Sequence, residues 1–241
     1  MSQTPPVTLV TGVSRGIGAA IADYLTARGH HIIGLARHEP EAFQGTFYAI
    51  DLADADATQS VLAEAVAKHR PLRVVNNAGL ARHSPVVEAK LADFDAMMAI
   101  NLRASLQVMQ AVIPAMRDAH FGRIVNIGSR ASLGKEGRTI YGATKAGLMG
   151  MTRTVALETI RDGITVNLIG PGPIETDMIR QSYPEGSDAR ANFLREIPME
   201  RFGQPKEIAA AAAYFLSDDA GFTTGQALYV CGGLTAGLAP L

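Results

Sequence analysis

Val7-Thr8-Leu9-Val10-Thr11-Gly12-Val13-Ser14-Arg15-Gly16-Ile17-Gly18 is the stretch whose reading decides the fold. A β-branched run passes straight into three closely spaced glycines, and the apolar spacing that follows predicts a helix over Gly18–Ala27. Gly12, Gly16 and Gly18 let the backbone turn sharply and come close to a pyrophosphate. The phosphates would then lie on the helix N-terminus, where amide N–H groups and the helix dipole favour negative charge, with Ser14, Arg15 and Ile17 on the same turn. The spacing is TGxxxGxG and not GxGxxG, and a tight strand-to-helix connection with no ligand would use the same glycines.

Working outward, short β-branched runs alternate with longer Ala-rich stretches of helical period. Strands are expected near Val7–Thr11, His31–Ala36, Thr46–Ile50, Arg73–Asn76, Arg123–Ile127, Thr165–Ile169 and Ala227–Val230. Helices are expected over Ala55–Lys68, Leu91–Met116, Tyr141–Arg161 and Lys206–Leu216. That alternation predicts an α/β Rossmann-fold, doubly wound, parallel seven-stranded sheet with helices on both faces. No linker or repeat interrupts it, so one domain is expected over residues 1–241. The texture changes only at 173–204, where Pro, Gly, Ser and charges break any pattern. A stretch of that kind is read as a lid over a site, against the alternative of a solvated surface loop with a short helix.

Composition narrows the function class. The 241 residues are 47% apolar and 19% charged with a formal net charge of −1, which gives material for a core and no broad basic surface for nucleic acid. No run reaches ~18 uninterrupted apolar residues and the N-terminus has no signal-like pattern, so a cytoplasmic protein without a membrane partner is expected. The lone Cys231 precludes an intrachain disulfide and reads as the end of a buried strand. No metal site is read.

About 20 residues after the glycine turn an acidic residue would signal a ribose 2′-hydroxyl. Ala36-Arg37 stands there instead. Arg37 with Arg15 offers guanidinium forks for a 2′-phosphate, which favours NADP(H), with NAD(H) as the alternative; solvated surface arginines are the bland reading. Tyr141-Gly142-Ala143-Thr144-Lys145 puts a phenol and an ammonium on one face of a predicted helix. A fixed cation beside a tyrosine, together with a positively charged oxidised nicotinamide, favours the phenolate, which suits a general acid or base; an ordinary aromatic–lysine pair has the same spacing.

Five motifs in this order resemble the short-chain dehydrogenase/reductase family: the glycine turn, Asn76-Asn77-Ala78-Gly79, Asn101, Ser129 and Tyr141/Lys145. The resemblance runs from about Thr8 to Gly233 and is nearest the 3-oxoacyl-(acyl-carrier-protein) reductase branch. It implies an oxidoreductase moving a hydride between NADP(H) and a carbonyl or secondary alcohol. It also implies a set of roles. Tyr141 would transfer the proton and Ser129 would polarise the substrate oxygen, with Ser132 as a nearby competitor. Lys145 would also bind the nicotinamide ribose, and Asn101 would anchor a water linked to Lys145. Asp51 and Leu52 would meet the adenine, Asp51 capping the next helix being the alternative. Asn76, Ala78 and Gly79 would line the adenosine side, although Asn77 and Ala78 could simply shape a turn. Pro171-Gly172-Pro173-Ile174-Glu175-Thr176 would fix the carboxamide through Ile174 and Thr176.

Carrier docking in that branch uses basic residues where this chain has His120 and Asp162, with Arg117, Arg123 and Arg161 nearby to compensate. A small free ketone or alcohol is therefore preferred as substrate. An NAD-linked alcohol dehydrogenase and a non-catalytic NADP(H) sensor are the other readings. Met97, Met98, Met109, Met149 and Met151 suggest apolar helix surface, and the family's pairing of these helices, with the tail Ala227 to Leu241, implies a homotetramer. Within the lid, Met178, Ile179, Tyr183, Phe193 and Leu194 would pack a substrate body, and Arg180, Arg190 and Arg195 would meet an anionic tail.

Overall fold

A computed structural model describes residues 5–237. Seven parallel strands form one sheet: β1 (Val7–Thr11), β2 (His31–Ala36), β3 (Gly45–Ala49), β4 (Arg73–Asn76), β5 (Gly122–Ile127), β6 (Ile164–Pro171) and β7 (Ala227–Val230). Their spatial order is β3-β2-β1-β4-β5-β6-β7, every pair parallel. Between them run α1 (Gly16–Thr26), α2 (Ala55–His69), α3 (Leu91–Met98), α4 (Ala104–Asp118), α5 (Thr139–Thr159), α6 (Asp177–Ser182), α7 (Asp188–Glu196) and α8 (Pro205–Leu216).

Strand side chains alternate between faces, so adjacent apolar residues feed two separate cores. Leu9, Ile33, Val74 and Ile124 join the layer completed by α2, α4 and α5. Val10, Ile32, Val75 and Val125 join the opposite layer, completed by α1 and α8. The strand order reverses between β1 and β4, and open α/β sheets bind ligands at the carboxyl ends of strands at such a point.

Three expectations need correction. The helix expected over Leu91–Met116 is broken: a five-residue π-helical stretch, Ala99–Arg103, separates α3 from α4 and buries Asn101. By length and composition Leu91–Asp118 would suffice to cross a bilayer, but Val108, Met109, Val112 and Met116 on its inner side are sealed in the core. The segment 173–204 is not patternless, since it holds α6 and α7. Neither was legible because α6 is six residues long and α7 buries no side chain, so no apolar stripe forms. Met97 and Met109 are core residues at 1% exposure, not surface. The exposed apolar residues of these helices are instead Leu91, Phe94, Leu106 and Leu157. Cys231 lies just beyond β7, buried, with its Sγ 3.2 Å from Thr235 Oγ1. Residues 238–241 of the proposed interface tail, and the Met178 side chain, lie outside the described residues.

Candidate active site

The glycine turn is clamped to the end of β4. Thr11 Oγ1 accepts from the backbone N–H groups of Asn77 and Ala78, both at 3.0 Å. Asn77 Nδ2 donates to the carbonyls of Thr11 and Gly12 at 3.0 and 3.2 Å. Asn77 is thus a brace of the turn. Gly12 has φ 74°, and a Cβ on Gly18 would lie 2.1 Å from the Gly12 carbonyl oxygen, so both positions require glycine.

Helix α1 begins here with no side-chain cap and no acidic residue in its first turn, leaving its N–H groups for an anion. Arg15 and Arg37 are exposed, and among the described residues neither forms an ion pair. Ser14 Oγ donates to the His38 carbonyl at 3.0 Å and ties this turn to the chain leaving β2. A glycine cradle, an uncapped helix end and two free guanidinium groups fit a phosphorylated dinucleotide.

Asp51 accepts from Ala53 N at 3.0 Å, whereas the cap of α2 is Asp54, which accepts from Ala57 N. Leu52 is buried beside it. Asn76 departs from expectation. Its side chain is 3% exposed and donates to Asn126 Oδ1 at 2.9 Å, in a chain that continues to Thr152, so it faces the core and not an adenosine. Period-2 alternation along β4 puts it on that side.

A cleft of about 510 Å³ opens at the carboxyl ends of β4, β5 and β6. Ser129, Tyr141 and Lys145 line it together with Ile17, Gly79 and Thr176. The Tyr141 hydroxyl shares the cleft wall with the Ser129 side chain, whose hydroxyl acts to lower the Tyr141 pKa. Ser129 Oγ accepts from Ala131 N at 3.1 Å, which leaves its one proton for Tyr141 or a substrate oxygen. Ser132 does not compete, because its hydroxyl donates to the Ser129 carbonyl at 2.8 Å. Lys145 is buried and donates to the Ile127 carbonyl at 2.8 Å, with Nζ 5.8 Å from the Tyr141 ring centre.

Burial raises the Tyr141 pKa above its ordinary 10, against the lowering by the Ser129 hydroxyl and the Arg138 charge. Burial also lowers that of Lys145 to about 8. Burial thus keeps the proton on the Tyr141 phenol. Asn101 lies off the cleft wall. Its Oδ1 accepts from Leu80 N at 2.7 Å, while Nδ2 donates to the Leu80 carbonyl at 2.9 Å and Thr144 Oγ1 at 3.0 Å. The side chain is fully engaged in tying the loop after β4 to α5.

On the far side, Pro171 and Gly172 lead out of β6 to buried Ile174, and Thr176 stands 3.4 Å from where a Gly16 Cβ would be. Ile179, Tyr183 and Phe193 line the cleft as expected of a substrate wall. The arginines there do not serve it. Arg190 is clasped by Glu175 at 2.7 Å, Arg180 pairs with Asp177 at 3.0 Å, and Arg195 donates to Asn192. Besides Lys145, the basic side chains that line the cleft are His83, Arg130, Lys135 and Arg138. Their signal was present between Ser129 and Tyr141, where three of the four fall within nine residues.

Comparison with known proteins agrees with this layout. Residues 12–235 match the family model described as enoyl-(acyl carrier protein) reductase. The 3-oxoacyl-(acyl-carrier-protein) reductase FabG of Escherichia coli is 38% identical over 238 residues, covering 95% of this chain and 96% of that protein. The NADP-bound structure of a 3-oxoacyl (acyl-carrier-protein) reductase from Agrobacterium tumefaciens superposes with a TM-score of 0.89 at 28% identity, covering 94% and 93% of the two chains. The ligand-free aldohexose dehydrogenase of Thermoplasma acidophilum gives 0.91 at 29% identity, covering 98% and 96%. With the glycine cradle at the switch point and the Ser129, Tyr141 and Lys145 side chains gathered in one cleft, the chain belongs to the short-chain dehydrogenase/reductase family of oxidoreductases.

Proposed function

We propose that this protein reduces a small free ketone, or oxidises the matching secondary alcohol, with NADP(H). The observation that carries the reading is the gathering of Tyr141, Ser129 and buried Lys145 on the wall of one cleft. NADP(H), when bound, supplies or accepts the hydride. Tyr141 Oη gives its proton to the substrate oxygen in reduction and takes it back in oxidation. The raised pKa of the resting phenol suits the reductive direction. Ser129 donates its hydroxyl proton to the same oxygen, where negative charge develops. Lys145, still charged at neutral pH, supports loss of the Tyr141 proton and holds the ribose. Asn101 is a positioning residue that ties Leu80 to Thr144, the residue before Lys145.

Unpaired Arg15 and Arg37, with no carboxylate at position 36 or 37, support NADP(H) over NAD(H), as does the NADP bound to the Agrobacterium relative. A carrier-bound substrate is disfavoured. Arg117 is taken up in neutralising Asp162 at 2.8 Å and Arg123 is buried against main-chain carbonyls, so of the three nearby cations only Arg161 is left to meet an acidic carrier.

Tyr141→Phe should lower kcat on the order of 10²–10⁴-fold while NADPH affinity barely moves. The check is NADPH oxidation across ketones, quinones, imines and acyl thioesters, with dinucleotide binding measured separately. Near-normal turnover in the variant would overturn the Tyr141 role, and binding without turnover on every compound would restore the sensor reading. Exposed Leu91, Phe94, Leu106 and Leu157 on α3, α4 and α5, with Leu228 on edge strand β7, support a homotetramer. A monomeric mass by light scattering at micromolar concentration would reject it.

A further inference from the structure

The cleft wall opposite α6 and α7 is built from the short stretch between Ser129 and Tyr141. A 3-10 turn over Arg130–Leu133, started by the Ser129 cap, folds that stretch back over the site. Ser84 pairs with Arg138 across a bridge in which Ser84 N donates to the Gly137 carbonyl at 3.2 Å. His83 is thereby brought to the same wall. Arg138 Cζ lies 5.7 Å from the centre of the Tyr141 ring. Lys135 Nζ lies 5.4 Å from the centre of the Phe193 ring, so it reaches across to α7.

Among the described residues Arg130, Lys135 and Arg138 form no ion pair, while every arginine of α6 and α7 has an acidic or amide partner. Burial lowers the pKa of Lys135, and Arg130 and Arg138 lower it further, with Glu196 alone opposing. Gathering like charges in a cleft costs free energy that a bound anion recovers. Arginine forks are suited to carboxylate and phosphate oxygens.

We infer that the substrate is an oxyanion-bearing carbonyl compound, with its reacting carbon at Tyr141 and Ser129 and a carboxylate or phosphate of the same molecule held by Arg138 and Lys135, with Arg130 and His83 beside them. The inference rests on the hydride-transfer reading above and adds the class of substrate. In reduction the carbonyl carbon gains a hydride and its oxygen a proton; the anionic group makes and breaks no bond. Arg138 and Lys135 then decide which ketones are used, by holding the end of the molecule that does not react.

The test uses pairs that differ in charge: 4-oxopentanoate against its methyl ester, 5-oxohexanoate against its methyl ester, and dihydroxyacetone phosphate against dihydroxyacetone. With NADPH and the full chain, kcat/KM should favour the anion by about ten-fold or more in at least one pair, and the pair that responds separates carboxylate from phosphate. Arg138→Gln should cut that preference by about ten-fold or more, and Lys135→Gln by less, since Lys135 is the more exposed. Each variant is checked by thermal melting, and reading a ratio cancels any general loss. A second arm needs no turnover: glutarate and glycerol 1-phosphate are titrated into the NADP⁺-loaded protein by calorimetry. Binding of either that is weakened in Arg138→Gln supports the inference even if no carbonyl compound is reduced, in which case the hydride-transfer reading alone fails. Turnover with the neutral member equal or better in every pair overturns the inference and leaves hydride transfer standing. Absence of both anion preference and Arg138-dependent binding overturns it as well.

Discussion

The glycine turn at 11–18 and the segment at 173–204 border the same cleft, yet different forces hold them. The turn is fixed from within by main-chain geometry, with Gly12 at positive φ, Gly18 pressed on Gly12, and four hydrogen bonds from Asn77 and Ala78 to Thr11 and Gly12. The segment is anchored through side chains. Glu175 clasps Arg190, the Arg190 guanidinium lies 4.7 Å over Phe202, and Phe193 packs between Tyr183 and Phe202. A site fixed by backbone tolerates almost no change and binds one kind of group. A wall fixed by side chains can be re-cut for another substrate while the turn stays as it is.

The comparison breaks most severely at Gly18. Gly18→Ala would place a methyl 2.1 Å from the Gly12 oxygen and 2.4 Å from Asn77 Nδ2. Neither can retreat without opening the turn. Overpacking of this kind costs about 1–3 kcal/mol, and about 2–4 °C of Tm per kcal/mol follows for a chain of this size. NADPH affinity should fall by about 10²-fold or more because the phosphate cradle itself moves. Dinucleotide titration and thermal melting check it; affinity within about three-fold of the parent protein would mean that the turn is as adaptable as the segment.

That contrast also explains what could be read in advance. Glycines at 12, 16 and 18 are forced by backbone geometry, so the turn and the sheet around it were legible from residue type and spacing. Tyr141 and Lys145 were legible because a helix fixes where i and i+4 side chains go. Asn76 was misplaced because a motif does not say which face of the strand a residue takes, and register against β5 turned it toward Asn126. The π-helical stretch around Asn101 has no local signature. Arg180, Arg190 and Arg195 were assigned to an anionic substrate on charge alone, and Glu175, Asp177 and Asn192 claim them in the folded chain.

Lys145 sharpens the comparison on the rigid side. Burial disfavours its ammonium, so its pKa falls from 10.5 to about 8. It is charged below about pH 8 and neutral above. The kcat/KM for NADPH, which reports the free enzyme, should therefore decline about ten-fold per unit once pH passes well above 8. Stability should move the other way. Between about pH 8 and 10.5 the unfolded chain binds the proton that the folded one has released, so the free energy of unfolding gains from this group as pH rises through that window. A Lys145→Arg variant, charged throughout, should lose the descending limb. A limb that persists in the variant would assign it to another group.

The smallest effect is expected in the segment anchored through side chains, at Glu175. Its carboxylate meets the Arg190 fork at 2.7 and 3.2 Å and lies 3.6 Å from Arg180, and both Glu175 and Arg190 side chains are largely buried, at 12% and 16% exposure. Glu175→Gln keeps the shape and removes the charge, leaving Arg190 one amide oxygen and the Tyr183 carbonyl as acceptors, with an NH₂ donor where its second carboxylate partner stood. The main chain on either side stays fixed, because buried Ile174 pairs with Gly203 and Glu175 N donates to the Gly203 carbonyl at 2.8 Å. Only α6 and α7 should loosen. Cleavage within Asp177–Glu196 by a dilute protease should quicken several-fold, and KM for the ketone should rise by about two- to five-fold while NADPH affinity moves less. The order of kcat/KM among ketones of different bulk should flatten, since Tyr183 and Phe193 no longer hold one position. Unchanged cleavage with an unchanged ranking would mean that the aromatic contacts among Tyr183, Phe193 and Phe202 suffice to hold the wall, and that the ion pair at Glu175 is dispensable to it.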